Sequence, residues 1–233
     1  MCAPKKERLP LVLASTSPRR RQLLALLGLP FEVRAADVNE SSQPEESPAA
    51  IVARLAEAKA RAVLADASTD FIVAADTLVY LDGAVLGKPS SAQQALRMLE
   101  RLRGRPHVVF SGVTVINAPA GLQQTAVAQS TVWMRQYSDA EIQAYVASGD
   151  PLDKAGAYAF QNASFAPASR VEGCYLSVMG LPLCHLYVLL RELGCKLGDT
   201  PVSACNDFTR RICPVAATIL GGPSAREDAS SAA

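Results

Sequence analysis

The sequence predicts an α/β fold, a mixed central sheet flanked by helices. Three observations predict it. Between Leu11 and Ala75, short apolar runs alternate with helical patterns, which is how strand–helix–strand units read. Further on, two long strand-like stretches meet at one turn and add an antiparallel part. The chain has 233 residues, 49% of them hydrophobic, enough for a full core in one large domain or in two lobes sharing a sheet.

The elements follow in order. Leu11-Val12-Leu13-Ala14 reads as a strand. A helix from Pro18 to Leu27 comes next, with Ser17 as its N-cap, Pro18 at its first position and Gly28 at its end. Phe31 to Ala35 reads as a second strand, and Asp37 to Glu46 as a polar loop. Ser47-Pro48 repeats the cap-and-proline start of a long helix reaching about Ala67, with Ile51, Leu55, Ala58 and Ala62 on one face. Phe71 to Ala75 is a continuous apolar run and predicts a buried central strand. Asp82-Gly83, between two apolar runs, predicts a hairpin. Ser90 and Gln93 form a capping-box pattern before a helix that stops near Gly104.

Val108 to Ile116 and Gln124 to Arg135 read as strands around the Pro119–Gly121 turn. Ser138 and Glu141 form a second capping box, opening a short helix that ends at Gly149. Val171 to Met179 reads as partly strand, and Pro182 to Leu193 as the last helix, closed by Gly194. Residues 10–194 are expected to form the domain. Residues 195–233, mixing Pro, Gly, Ser and Ala, are expected to be a loosely ordered tail.

Composition excludes several classes. A net charge of +1 with few, scattered aromatics does not describe a nucleic-acid binder. The apolar stretch after Met1–Pro10 is too short for a signal-peptide core, and Leu176–Leu190, broken by Pro182 and His185, is too short to span a bilayer. The expectation is a soluble, cytoplasmic protein. Six cysteines without a C-x-x-C pair read most simply as free thiols. With two histidines, His107 and His185, neither a His-rich zinc site nor a Ser-His-Asp triad is expected. His185 lies among leucines and reads as packing. The sequons at Asn39 and Asn162 carry no meaning without secretion.

Candidate chemistry starts at Ser15-Thr16-Ser17-Pro18-Arg19-Arg20-Arg21. Two arginines in the first turn of a helix, beside free backbone N–H groups, form a place for an anion such as phosphate. An ordinary helix start with solvent-facing arginines fits the same residues equally well. Asp76 follows the apolar strand, where α/β folds bind ligands, and a carboxylate there can hold a cation or activate water. Capping the turn is the simpler alternative. Gly83–Lys88 imitates a P-loop but lacks one residue between its glycines, has Pro89 where Ser or Thr belongs, and lies on a hairpin. Lys88 can meet a phosphate as a point charge, or be a surface lysine. Lys59 reads as one of the water-facing charges of its helix, and Glu40 as part of a polar loop. In the loop Asp153–Tyr158, Gly156 would allow close backbone approach to a ligand. The amide of Gln161 suits a base edge.

Five segments, taken in order, resemble the Maf family of nucleoside triphosphate pyrophosphatases. They are Ala14-Ser15-Thr16-Ser17-Pro18-Arg19-Arg20, Ala75-Asp76-Thr77, Gly87-Lys88-Pro89, Pro151-Leu152-Asp153-Lys154-Ala155-Gly156-Ala157-Tyr158, and Val178-Met179-Gly180-Leu181-Pro182. They cover Leu11 to about Leu193. The resemblance implies two lobes around a cleft, a divalent metal cation (Mg²⁺ or Mn²⁺), often a homodimer, and hydrolysis of a nucleoside triphosphate to monophosphate and pyrophosphate. It puts the general base at Asp76 and phosphate-contacting or catalytic roles at Ser15, Arg20, Glu40, Lys59 and Lys88. Base preference falls on Arg19, Thr77 and Gln161, and this set resembles the branch acting on dTTP and UTP. One departure stands out: after Gln161 the family usually has a glycine-rich step, and this chain reads Asn162-Ala163-Ser164-Phe165-Ala166. That loop motivates the alternative of a non-catalytic nucleotide-sensing or division-regulating protein on the same fold.

Overall fold

The computed structural model describes residues 11–41, 43–65 and 70–221. The end of the tail lies outside them, and the long helix expected to reach about Ala67 ends earlier, at Ala62, with Val63 as its C-cap. Its strands are β1 (Leu11–Ala14), β2 (Phe31–Arg34), β3 (Phe71–Leu81), β4 (Ala84–Leu86), β5 (Pro106–Asn117), β6 (Leu122–Met134) and β7 (Ala168–Glu172). They form one mixed sheet in the order β2-β1-β3-β5-β6-β7, with β4 also on β3. β1 pairs parallel with β2 and β3, and the other pairings are antiparallel.

The helices are α1 (Pro18–Ala25), α2 (Pro48–Ala62), α3 (Ala92–Leu102), α4 (Asp139–Ala147), α5 (Tyr175–Met179), α6 (Leu183–Glu192), α7 (Val202–Thr209) and α8 (Ala216–Gly221). Alternation along β1 sorts them between the two faces of the sheet. Leu11 and Leu13 meet Leu23 and Leu24 of α1 and Leu186 and Leu190 of α6. Val12 and Ala14 meet Ala60 and Val63 of the α2 end. A separate cluster joins Val79, Leu81, Leu99 of α3, Val132 and Ile142 of α4. β3 contributes to all three of these apolar clusters.

The strand order makes β1 a switch point, because the chain leaves it for β2 on one side and returns to β3 on the other. Ligands of open α/β sheets bind in the crevice at such a point. On that edge of β3, β1 pairs with Phe71–Val73 and β4 with Val79–Leu81. Between them Ala74–Leu78 has no strand partner on this side among the described residues. Asp76 and Thr77 sit in this gap, in the middle of β3 and not after its end. The strand continues because β5 pairs with Phe71 through Tyr80 on the other edge.

Other expectations shift. α2 buries Ile51, Val52, Leu55, Ala56, Lys59 and Ala60, so its inner face is rotated away from Ala58 and Ala62. The cap of α3 is Ser91, whose side chain accepts from the Gln94 N–H, one residue later than the pattern suggested. Ser138 and Glu141 do form a reciprocal capping box. Only the start of the 171–179 stretch is strand. Gly173 turns the chain at φ +104°, where a Cβ would meet Ser130, and α5 follows. The loosely ordered tail gives way, through residue 221, to α7 and α8. Cys205 of α7 is buried in the same cluster as Leu11 and Leu13 because the chain still has an apolar surface to cover there. Cys174, Cys184, Cys195, Cys205 and Cys213 are free thiols. No described helix is long and apolar enough to cross a membrane.

Candidate active site

A cavity of about 710 Å³ opens at the gap in β3. Its lining includes Ser15, Arg19, Arg20, Glu40, Lys59, Asp76, Thr77, Lys88 and Gln161, all nine of the residues singled out in the sequence.

One wall is the β1–α1 turn. Ser17 caps α1 by accepting from the Arg20 N–H, and Ser15 Oγ accepts from the Ser17 N–H at 3.2 Å. The turn is tight, and it aims the Arg20 side chain back across the end of β1. There the guanidinium donates to the Gly180 carbonyl at 3.0 Å, to Ser15 Oγ at 3.4 Å and to Thr77 Oγ1 at 3.4 Å. Burial pushes the Arg20 pKa below its usual value, an effect Asp76 opposes. Arginine remains a cation throughout. Gly180 supplies the turn at φ +115° that brings its carbonyl to Arg20; a Cβ there would be in ordinary contact with Arg20 and Thr77, so it is the backbone conformation that favours glycine.

The floor is an ion cluster. Lys59 Nζ lies 2.6 Å from Asp76 Oδ1 and 2.6 Å from Glu40 Oε1. Lys59 is only 7% exposed, which corrects the expectation of a water-facing helix lysine: it continues the buried row of Ile51 and Leu55. Its hydrogen bond to Glu40 holds that carboxyl below the usual glutamate range, although the Glu40 side chain is 53% exposed. A buried ammonium is tolerable only because two carboxylates compensate it. Gly112 makes the arrangement possible. It stands opposite Asp76 on β5, and a Cβ on it would lie 2.4 Å from the Val52 carbonyl oxygen. The missing side chain lets α2 lie close against the sheet, within reach of Asp76.

Lys88 is exposed on the far rim, two residues beyond the end of β4 and not on the paired strand. It contributes to the low pKa of Glu40 through charge. The remaining wall is the segment from Asp150 to Gln161. Lys154, 8% exposed, donates to Asp153 at 2.6 Å and to the Asp150 carbonyl, and pairs with Asp150 Oδ1 at 3.1 Å. Gly156, at φ +69°, approaches Val79 and Tyr158, and its N–H donates to the Gly87 carbonyl at 3.1 Å. Its close approach is thus to the protein's own chain. Asn162 Nδ2 donates to Asp150 Oδ2, and Asn162 Oδ1 accepts from the Phe165 N–H, so the 162–166 stretch is a hydrogen-bonded turn. Gln161 is exposed beside it.

Sequence reading underrated Lys154 and missed Gly112 and its neighbour Ser111. A Ser-Gly pair inside an apolar strand was the available signal, since glycine within a strand marks close approach by another backbone. His107 is buried with its Nε2 2.7 Å from the Tyr158 hydroxyl, and burial lowers its pKa to about 4. It stays neutral and serves packing.

The carboxylates of Asp76 and Glu40, brought together on Lys59, also bear on metals. No group of three or more His, Cys, Asp or Glu able to hold an ion exists among the described residues. Mg²⁺ commonly takes one or two carboxylates and fills its shell with substrate phosphate and water, and Asp76 and Glu40 fit that pattern.

Comparison with known proteins gives a consistent picture. A family model described as Maf-like protein matches residues 10–193. The chain is 48% identical over 184 residues to a dTTP/UTP pyrophosphatase of Moorella thermoacetica, covering 79% of this chain and 95% of the relative. A protein of the same name from Salinibacter ruber is 47% identical, with 78% and 90% covered. A third, from Dehalococcoides mccartyi strain CBDB1, is 46% identical, with 79% and 82% covered.

Proposed function

Since the chain belongs to the Maf-like protein family, we propose that it hydrolyses dTTP and UTP to the monophosphate and pyrophosphate. The observation that carries this reading is the meeting, in one cavity, of a guanidinium held at a helix start with a carboxylate pair bridged by a buried lysine. A polyphosphate needs the first, and activation of water needs the second.

Water attacks the α-phosphorus, the α–β anhydride bond breaks, and pyrophosphate leaves with the bonding electrons. Asp76 takes the proton from the attacking water. Negative charge grows on the leaving oxygens, where Arg20 and Lys88 face it in a partly dry site. Ser15 orients Arg20 and contributes a hydroxyl to the same wall. Lys59 bridges Asp76 and Glu40 and favours the ionised form of Glu40. Asp76 and Glu40 would hold a Mg²⁺ or Mn²⁺ ion, which when bound offsets the charge of the triphosphate. On the same cavity, the amide of Gln161 pairs with the O4/N3–H edge shared by thymine and uracil, with Arg19 and Thr77 contributing to base preference. A mismatched base leaves polar groups unpaired, which is how such a pocket discriminates.

The test is a panel of the common triphosphates with Mg²⁺ or Mn²⁺ and separation of the products. Pyrophosphate released fastest from dTTP and UTP is the expected result. Orthophosphate as the product, or tight binding without turnover across the panel, would overturn it.

A further inference from the structure

Arg20 has three anchors, and one of them is set from behind. Thr77 Oγ1, which accepts from Arg20 Nη2, lies 2.8 Å from Ser111 Oγ. Ser111 Oγ in turn lies 2.7 Å from the Ser177 carbonyl oxygen. A carbonyl only accepts, so the single hydroxyl proton of Ser111 goes to Ser177. The contact between the two hydroxyls then requires the proton of Thr77. With that proton spent, Thr77 offers only lone pairs to the cavity. A guanidinium, which carries only donors, is the neighbour those lone pairs suit.

We propose that Ser111 is a positioning residue: it fixes the Thr77 hydroxyl as an acceptor and, through it, the orientation of the Arg20 guanidinium. The chain of donation runs one way, from Arg20 to Thr77 to Ser111 to the Ser177 carbonyl, and each bond polarises the next. Its geometry is fixed by the fold. Thr77 and Ser111 are directly opposite in the β3–β5 register, and Ser111 is 0% exposed, so water does not compete for the Ser111 hydroxyl. The Ser177 carbonyl also accepts from the Gly180 N–H at 3.0 Å, and the Gly180 carbonyl accepts from Arg20 Nε. The end of α5 therefore holds the guanidinium from two directions. With three of its five donors used in this frame, Arg20 keeps two for an anion.

This inference rests on the reading of Arg20 as a polyphosphate contact. It is tested with the full chain as wild type, Ser111→Ala, Ser111→Thr, Thr77→Val and the Thr77→Val/Ser111→Ala double variant. Two quantities are measured: kcat and KM with dTTP, and affinity for inorganic tripolyphosphate by calorimetry. Ser111→Ala should lower kcat/KM and tripolyphosphate affinity each by about tenfold, the scale of one charge-assisted hydrogen bond. Ser111→Thr, which keeps the hydroxyl, should restore both. Adding Ser111→Ala to Thr77→Val should change neither further, because the path through Thr77 is already cut. Wild-type values for Ser111→Ala, or losses that multiply in the double variant, would overturn the proposal. Should Ser111→Ala fail to fold, the nearly isosteric Ser111→Cys, a weak donor, takes its place with the same expectations. If wild type releases no pyrophosphate while the tripolyphosphate results hold, the proposed function fails and the positioning role stands.

Discussion

Lys59 and Lys154 look alike and do different work. Both are nearly buried, at 7% and 8% exposure, and each is gripped by two carboxylates on the wall of one cavity. Lys59 draws its partners from the loop after β2 and the middle of β3, so its cluster exists only once the sheet has assembled. Lys154 draws its partners from the four residues before it and closes a turn. Burial pushes the Asp150 carboxyl up, but hydrogen bonds from Tyr145, Lys154 and Asn162 outweigh that and hold it below its usual value. The same constellation thus joins distant segments at the floor of the cavity in one case, and fastens the turn before Gln161 in the other.

The contrast can be broken most sharply at Asp76. Asp76→Asn should cost about a thousandfold in kcat, the scale of losing a general base, and should also lower thermal stability, because it leaves the buried Lys59 ammonium with Glu40 as its one carboxylate. Turnover near wild type would assign the chemistry elsewhere. Glu40→Gln should cost about tenfold and should also alter the acid side of the rate profile. Lys59 favours the ionised form of Glu40, so its pKa in the folded chain is depressed. Pairing is complete above the ordinary glutamate value and is lost as pH falls through the lowered one. Wild type should therefore keep the Glu40 contribution through the ordinary glutamate range, with an acid limb below it that Glu40→Gln lacks. Identical limbs in both would remove Glu40 from the cluster's function. Lys154→Met should affect kcat least. It should raise KM for dTTP roughly fivefold by loosening the Gln161 loop, and cost about 2 kcal/mol of stability on chemical denaturation. A loss confined to kcat would make Lys154 part of the chemistry and erase the distinction.

Most of the site was legible in the sequence, because its residues sit in short runs with strong local meaning. Ser17-Pro18 fixes a helix start, and a helix start fixes where Arg20 points. What stayed hidden depends on pairing between distant segments. Asp76 read as lying at a strand's end, since the apolar run stops at Ala75, while the strand continues because β5 supplies partners through Tyr80. Lys59 read as a surface lysine by composition, although the four-residue spacing from Ile51 and Leu55 already put it on the inner face. The tail read as loose because Pro, Gly and Ser dominate it, yet Cys205 and Phe208 find an apolar surface built by residues far earlier in the chain.

Gly112 has one more consequence. Opposite Asp76, the strand carries a hydrogen where every other amino acid carries a carbon, and the helix backbone rests in that space. The spacing of the charged groups in the cavity is therefore machined by main-chain thickness and not by side-chain choice. Even a single methyl at that position would lever the helix outward and pull its ammonium off target, leaving a folded molecule with its reactive groups intact but out of step.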